Sequence, residues 1–211
     1  ASESSTPSDP SDSRSAAAHS RPVSVRRGEP VDIVILSDAA IDDLIRDGFI
    51  VAGSKVPLAR SGIGMAVRAG TPRPDIRTVD GLKRALLQAA SIAISAQTSG
   101  VYLSTELFPR LGIADQLKAK TQRIERERVG AVVARGDAEV GFQQISELLP
   151  ITGIDYIGPL PAEAQRITLF SAGVAKAATS PEAARALIRF YTSSEGAEMA
   201  VATGLEKLPP R

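Results

Sequence analysis

One phrase occurs twice in this chain, and the repetition constrains its architecture more than any other feature. Arg27-Gly28-Glu29-Pro30-Val31-Asp32-Ile33-Val34-Ile35 is matched far downstream by Arg135-Gly136-Asp137-Ala138-Glu139-Val140-Gly141-Phe142. Each copy reads as a helix end closed by glycine, a tight acidic turn and a buried strand. Glycine accepts the left-handed cap, the acid suits the turn, and the short apolar run fits a strand covered on both faces. Both strands end in small polar residues, Ser37-Asp38 after the first and Gln143-Gln144 after the second. Ligands of open α/β sheets collect at the carboxyl ends of strands, so the two ends predict two lobes facing one cleft.

Between and beyond the two copies, strand and helix patterns alternate. Residues 31–36 read as a strand and 39–47 as an amphipathic helix, with Ile41, Leu44 and Ile45 on one face. A long alternating strand follows over 58–68, then a helix opened by Thr78 and running to 88, a short strand over 91–95, and a helix from Thr98 towards Gly112. Downstream come a helix at 129–135, strands at 140–143, 154–158 and 167–175, and helices at 181–192 and 195–203. This order predicts an α/β protein with parallel or mixed sheets and helices on both faces.

If the strands over 58–68 and 167–175 both cross between lobes, residues 28–66 plus 168–211 form lobe 1 and residues 67–167 form lobe 2, joined by two crossing hinge strands. A single doubly wound domain is the competing arrangement. Residues 1–27 are mostly Ser, Pro, Asp, Arg and Ala, and are expected to form a disordered or atypical tail.

Composition removes several chemistries. Cysteine is absent and His19, the one histidine, lies in the polar tail, which excludes disulfides, thiolate nucleophiles, zinc-finger spacing and a Ser-His-Asp triad on an ordered histidine. A formal net charge of +1 provides no field to recruit nucleic acid. No apolar run approaches the roughly 20 residues of a membrane-spanning helix. No glycine loop has a phosphate-cradling pattern, and no cofactor or metal is expected. The carboxylate pairs Asp42-Asp43 and Glu125-Glu127 fall on helical or solvated stretches, so the expectation is a non-enzymatic protein; Glu147 reads equally well as a surface residue.

The leading binding candidate is Ser95-Ala96-Gln97-Thr98-Ser99-Gly100-Val101-Tyr102, a strand end opening into a helix. Helix starts present unpaired N–H groups and a positive dipole end, and small residues let an oxyanion approach, which singles out Ser99 and Gly100, with Tyr102 as a further candidate. The plain alternative is that Thr98 or Ser99 only caps its own helix. Ser37 repeats the arrangement, with Asp38 as the expected N-cap. Val129 opens a third helix behind a charged run in which Arg126 and Arg128 suit a carboxylate or another oxyanion. Gln143 and Gln144 bring side-chain amides to a strand end, able to meet a polar ligand without burying a net charge.

These residues resemble the type II periplasmic substrate-binding proteins of ABC transporters, in particular the molybdate-binding-protein-like branch. The phrases that carry the resemblance are Gly28 to Ala39, Ala59 to Arg68, Ser99 to Tyr102 and Arg135 to Gln144. It implies two lobes and a small oxyanion or organic anion captured between them by Ser37, Ser99, Gly100, Val129, Gln143 and Gln144. It further implies a permease partner and a periplasmic location. No signal-peptide h-region is visible, and a cytoplasmic location stays open. Two departures stand out. Gln144 occupies the position where the molybdate binders carry a ligand-contacting tyrosine, which opens the way to an organic anion. The family's first strand and helix are replaced here by the polar tail, leaving a lobe 1 edge that would favour homodimerisation. The alternatives to solute capture are a non-transporting sensor or interaction module, and an isomerase or hydrolase acting on an organic acid.

Overall fold

The computed structural model describes residues 25–208. Its strands form two sheets. In the first, β1 (Ile33–Ser37), β2 (Val56–Ser61) and β8 (Thr168–Val174) lie in the order β1-β8-β2, all antiparallel. In the second, β3 (Ile63–Arg68), β4 (Ile92–Ser95), β5 (Thr121–Ile124), β6 (Val140–Gln144) and β7 (Ile154–Pro159) lie in the order β5-β4-β6-β3-β7. Here β4 runs parallel to β5 and β6, while β3 is antiparallel to β6 and β7.

The helices are α1 (Asp38–Arg46), α2 (Val79–Gln88), α3, α4 (Ala114–Lys118), α5 (Val129–Arg135), α6 (Ile145–Leu148), α7 (Pro181–Thr192) and α8 (Ser194–Ala202). Helix α3 is one continuous run. It begins as an α-helix over Thr98–Tyr102, passes through a π turn at Leu103–Leu107 and ends at Phe108–Arg110.

Both glycines of the repeated phrase adopt the left-handed conformation, Gly28 at φ +77° and Gly136 at φ +85°, where an L side chain is strained. The strands they feed differ. All of β6 is buried, because β4 and β3 flank it and helices cover its faces. In β1 only Val34 is buried, because that strand pairs with β8 alone and forms the edge of its sheet. The expectation of a strand covered on both faces therefore holds for the second copy and not for the first. Strand β5, Thr-Gln-Arg-Ile, lies at a sheet edge and carries no apolar run that would mark it in the sequence.

The segment 58–68, read as one strand, is two. Ser61 pairs with Thr168 in the first sheet and Ile63 with Gln144 in the second, so the chain changes sheet at Gly62. It returns through residues 160–167, and the two crossings are stitched together: Gln165 accepts from the Ile63 N–H at 2.7 Å and donates to the Ile63 carbonyl at 2.9 Å.

Each sheet has its own apolar core. Ile63, Met65, Ile94 and Phe142 meet Leu82 and Leu107 over the larger sheet, whereas Val34, Ile41, Leu44 and Ile50 pack under α1 in the smaller one. The acidic turn of the first phrase has a long-range task. Asp32 Oδ1 accepts the N–H groups of Thr179 (2.7 Å) and Ser180 (2.9 Å), fixing the start of α7; the Ser180 N–H is the largest influence holding this carboxyl below its ordinary pKa.

Candidate functional site

The carboxyl ends of β1, β4 and β6 converge on one cleft between the two sheets, a cavity of about 170 Å³. Ser37 and Phe170 line it from the first sheet, and Ser95, Ser99, Gln144 and Glu147 from the second. The volume is below the roughly 300–1,000 Å³ of pockets for drug-sized ligands and suits a small acid.

Local structure explains why hydroxyls face this space. Ser37 is the N-cap of α1, yet its side chain makes no capping hydrogen bond. The expected N-cap, Asp38, is instead the first helical residue, and it binds α1 to the sheet: Oδ1 accepts from Ser171 Oγ at 2.6 Å and Oδ2 from Lys55 Nζ at 2.8 Å. At α3 the N-cap is Gln97, so neither Thr98 nor Ser99 caps the helix. The capping-only reading of these two residues fails on that geometry; both line the cleft.

Of the residues singled out from sequence, Ser37, Ser99 and Gln144 are brought together. Gln144 reaches the cleft wall, but its amide is engaged behind it. With its oxygen accepting from Thr168 Oγ1 at 2.8 Å, its nitrogen donates to the carbonyls of Ser61 (3.0 Å) and Gly62 (3.1 Å), so one side chain spans both crossings. Gly100 is buried beneath the cleft floor. A β-carbon there would lie 1.6 Å from the Ser95 carbonyl oxygen, so its role is to let α3 start directly against β4.

Val129 and Gln143 are also removed from the cleft wall. Both are fully buried, and the Val129 N–H, expected to meet an anion, donates to Gln143 Oε1 at 2.9 Å. Tyr102 faces elsewhere: its hydroxyl donates to the Ala164 carbonyl at 3.0 Å, and Arg166 lies over its ring at 4.4 Å, tying α3 to the return crossing. Arg126 is exposed before α5. Arg128 is half-buried; its Nε is buried with no hydrogen-bond partner among the described residues, and its charge is felt by Glu147.

Glu147 is the group the sequence did not single out. Burial raises its carboxyl pKa above the ordinary value, opposed by a hydrogen bond from the Gln143 amide and by the Arg128 charge. Its only sequence signal was its place three residues after a polar strand end, which a surface glutamate shares.

Asp38 has the opposite behaviour. Burial pushes its pKa up, but Lys55 and Ser171 outweigh that and hold it below the ordinary 3.8. The stability it contributes is complete above that ordinary value and is lost as the pH falls through the lower folded one. Asp38→Asn is therefore expected to flatten the acid limb of a plot of melting temperature against pH, with the loss relative to the parent largest near neutrality. Equal melting temperatures at all pH values would refute it.

Two α/β lobes with a small polar cleft between them at the strand ends form the two-lobed architecture of the type II periplasmic-binding-protein fold. Residues 12–206 match the bacterial extracellular solute-binding protein family, and the chain belongs to it. Among solved structures, the periplasmic molybdate-binding protein of Azotobacter vinelandii superposes with a TM-score of 0.72 at 20% identity, covering 92% of this chain and 85% of that one. The sulfate-binding protein of Mycobacterium tuberculosis superposes with a TM-score of 0.69 at 18% identity, covering 92% and 74%. At these identities the likeness establishes the fold.

A nearer relative in sequence is an aconitate isomerase from a Pseudomonas species, 44% identical over 188 residues, covering 89% of this chain and 72% of that protein. That relative is an enzyme, and it overturns the expectation of a non-enzymatic protein. That expectation rested on finding no acid–base group at the site, whereas the cleft holds one ionisable carboxyl, Glu147. Among the described residues, no helix is long and apolar enough to cross a membrane, and no cluster of His, Cys, Asp and Glu is arranged to hold a metal.

Proposed function

We propose that this chain is an isomerase of a small unsaturated polycarboxylic acid, with aconitate as the first substrate to test, working in the cleft between its two lobes. The observation that carries the reading is the joining of anion-binding groups and one ionisable carboxyl in a single small cavity, on a chain 44% identical to an aconitate isomerase. Ser37 and the start of α1 offer donors to one carboxylate, and Thr98 and Ser99 at the start of α3 to another. Arg128 does not line the cleft, but its charge reaches Glu147 there and favours a polyanionic ligand beside it. Gln144, at the cleft wall, turns its amide to Thr168 and to the Ser61 and Gly62 carbonyls, which leaves the hydroxyls of Ser37, Thr98 and Ser99 as the donors for the acid.

Interconverting the geometric isomers of such an acid requires the alkene π bond to be relocated for a time. Moving a proton between the carbons that flank the central one does this with no redox partner. The cavity size and the hydroxyl lining support binding of the acid, and the two-lobed fold supports its exclusion from water as the lobes close.

The test is to mix purified protein with cis- or trans-aconitate and follow the ratio of isomers by proton NMR. Equilibration from both sides is the expected result. Binding by calorimetry with no change in the ratio would overturn the reading. Arg128→Ala is expected to raise KM by about threefold to tenfold through the loss of a nearby positive charge that favours the polyanion, with a smaller effect on kcat. Unchanged KM would remove Arg128 from the site.

A further inference from the structure

We propose that Glu147 is the catalytic base and acid of this cleft, taking a hydrogen from the methylene carbon of the bound acid and returning it to the far carbon of its alkene. The assignment rests on the isomerase reading above and adds the residue that carries the reaction. Among the residues lining the cleft, Glu147 is the one with an ionisable side chain; the others are Ser, Thr, Gln and apolar residues. Any proton-transfer chemistry on a ligand held there begins with that carboxyl or with water.

Its mounting suits the task. Glu147 sits on α6, the single helical turn that follows β6 directly. The Gln143 amide bonds its carboxyl. Gln143 is in turn held at its other end, since its Oε1 accepts the Val129 N–H at 2.9 Å in a fully buried position. A carboxyl anchored through a buried amide to the start of α5 has little rotational freedom. Arg128, one residue before that start, places a positive charge within electrostatic range of the carboxyl. Burial makes the carboxylate a better proton acceptor than a solvated glutamate, with the Gln143 amide and the Arg128 charge opposing part of that rise.

The reaction balances without a further reagent. The carboxylate forms an O–H bond as the methylene C–H bond breaks. The released electron pair spreads over the adjacent alkene as an allylic carbanion, whose charge the substrate carboxylates and the cleft donors share. Rotation about the former double bond resets the geometry. The Glu147 O–H then protonates the other terminal carbon, which leaves the double bond one position along, the molecular formula unchanged and the carboxylate regenerated.

Glu147→Gln keeps the volume and hydrogen-bonding reach but cannot accept a proton. Turnover of aconitate should fall by about 10²- to 10⁴-fold, the usual contribution of a general base. Calorimetric affinity for trans-aconitate should stay within a few-fold of the parent, and the melting temperature should be equal or higher, because a buried ionisable group has been removed. Glu147→Asp, which retains the carboxyl on a shorter arm, should recover part of the rate. In parallel, exchange of the methylene hydrogens into D₂O is followed by NMR for the parent and for Glu147→Gln. Isomerisation by Glu147→Gln within tenfold of the parent would overturn the assignment and leave the isomerase reading standing. Methylene exchange by the parent without isomerisation, lost in Glu147→Gln, would keep the assignment and overturn the isomerase reading. No exchange and no isomerisation by the parent would overturn both.

Discussion

Gly100→Ala is expected to cost about 3 kcal/mol and to lower the melting temperature by about 6–12 °C. The β-carbon it introduces would lie 1.6 Å from the Ser95 carbonyl oxygen, 2.7 Å from the Ser95 carbonyl carbon and 3.0 Å from its nitrogen. All of these are backbone atoms of a fully buried strand, so no flexible side chain can move aside. Relief requires α3 to lift from the end of β4, which carries Thr98 and Ser99 away from the cleft wall. Ligand affinity should fall with stability.

A fitting control is Gly112→Ala, at φ +68° with nothing within 4 Å of its β-carbon; it should cost only the left-handed strain, about 1 kcal/mol. Thermal melts of the two variants beside the parent make the comparison. Equal losses would show that close packing at Gly100 is not what the position requires.

The second large effect is expected at Gln144. Replacing it with leucine leaves the carbonyls of Ser61 and Gly62 and the hydroxyl of Thr168 without their shared partner in a buried crossing. Each stranded polar group costs about 1–3 kcal/mol, so a net loss of about 2–4 kcal/mol is expected, with part of it relieved by water at the cleft side. Thr168→Val alone removes one of these bonds and should cost about 1 kcal/mol. Urea unfolding of both single variants and the double variant closes a cycle, and coupling between the sites is the expected outcome. Strict additivity would mean that the two side chains do not act together on the crossing. Because Gln144 joins segments of both lobes, its loss should also change how the cleft closes, visible as a faster release of aconitate in stopped-flow measurements.

The fold was legible in the chain to the extent that local rules governed it. The left-handed glycine and the strand that follows it appear in both copies because such a turn depends on a few adjacent residues, and the helices at 79–88, 129–135 and 181–192 follow from apolar spacing and capping residues. The break at Gly62 was hidden, since alternation on either side of it continues in phase while the chain passes from one sheet to another. The edge position of β1 was equally hidden, because an apolar run looks the same whether one neighbour covers it or two.

At the site, Ser37 and Ser99 were readable as small residues where strands give way to helices, a position that brings donors to a cleft in any sheet of this kind. The partners of Val129, Gln143 and Gln144 were not readable. The Val129 N–H meets an amide 14 residues away and Gln144 meets a hydroxyl 24 residues away, and both bonds consume groups that the primary structure presents as available for a ligand.

The sequence alone determined an alternating α/β chain, the absence of thiol and histidine chemistry from its core, and small polar residues at the ends of particular strands, because composition and short-range periodicity are properties of neighbouring residues. Only the tertiary structure decided which of those strand ends face one another, which amides are consumed in holding the crossings, and that Glu147 points into the cleft with Arg128 close by. Burial, the field of a distant charge and the occupancy of a hydrogen-bonding group all depend on residues brought together by folding, and those are the quantities that set Glu147 apart from an ordinary surface glutamate.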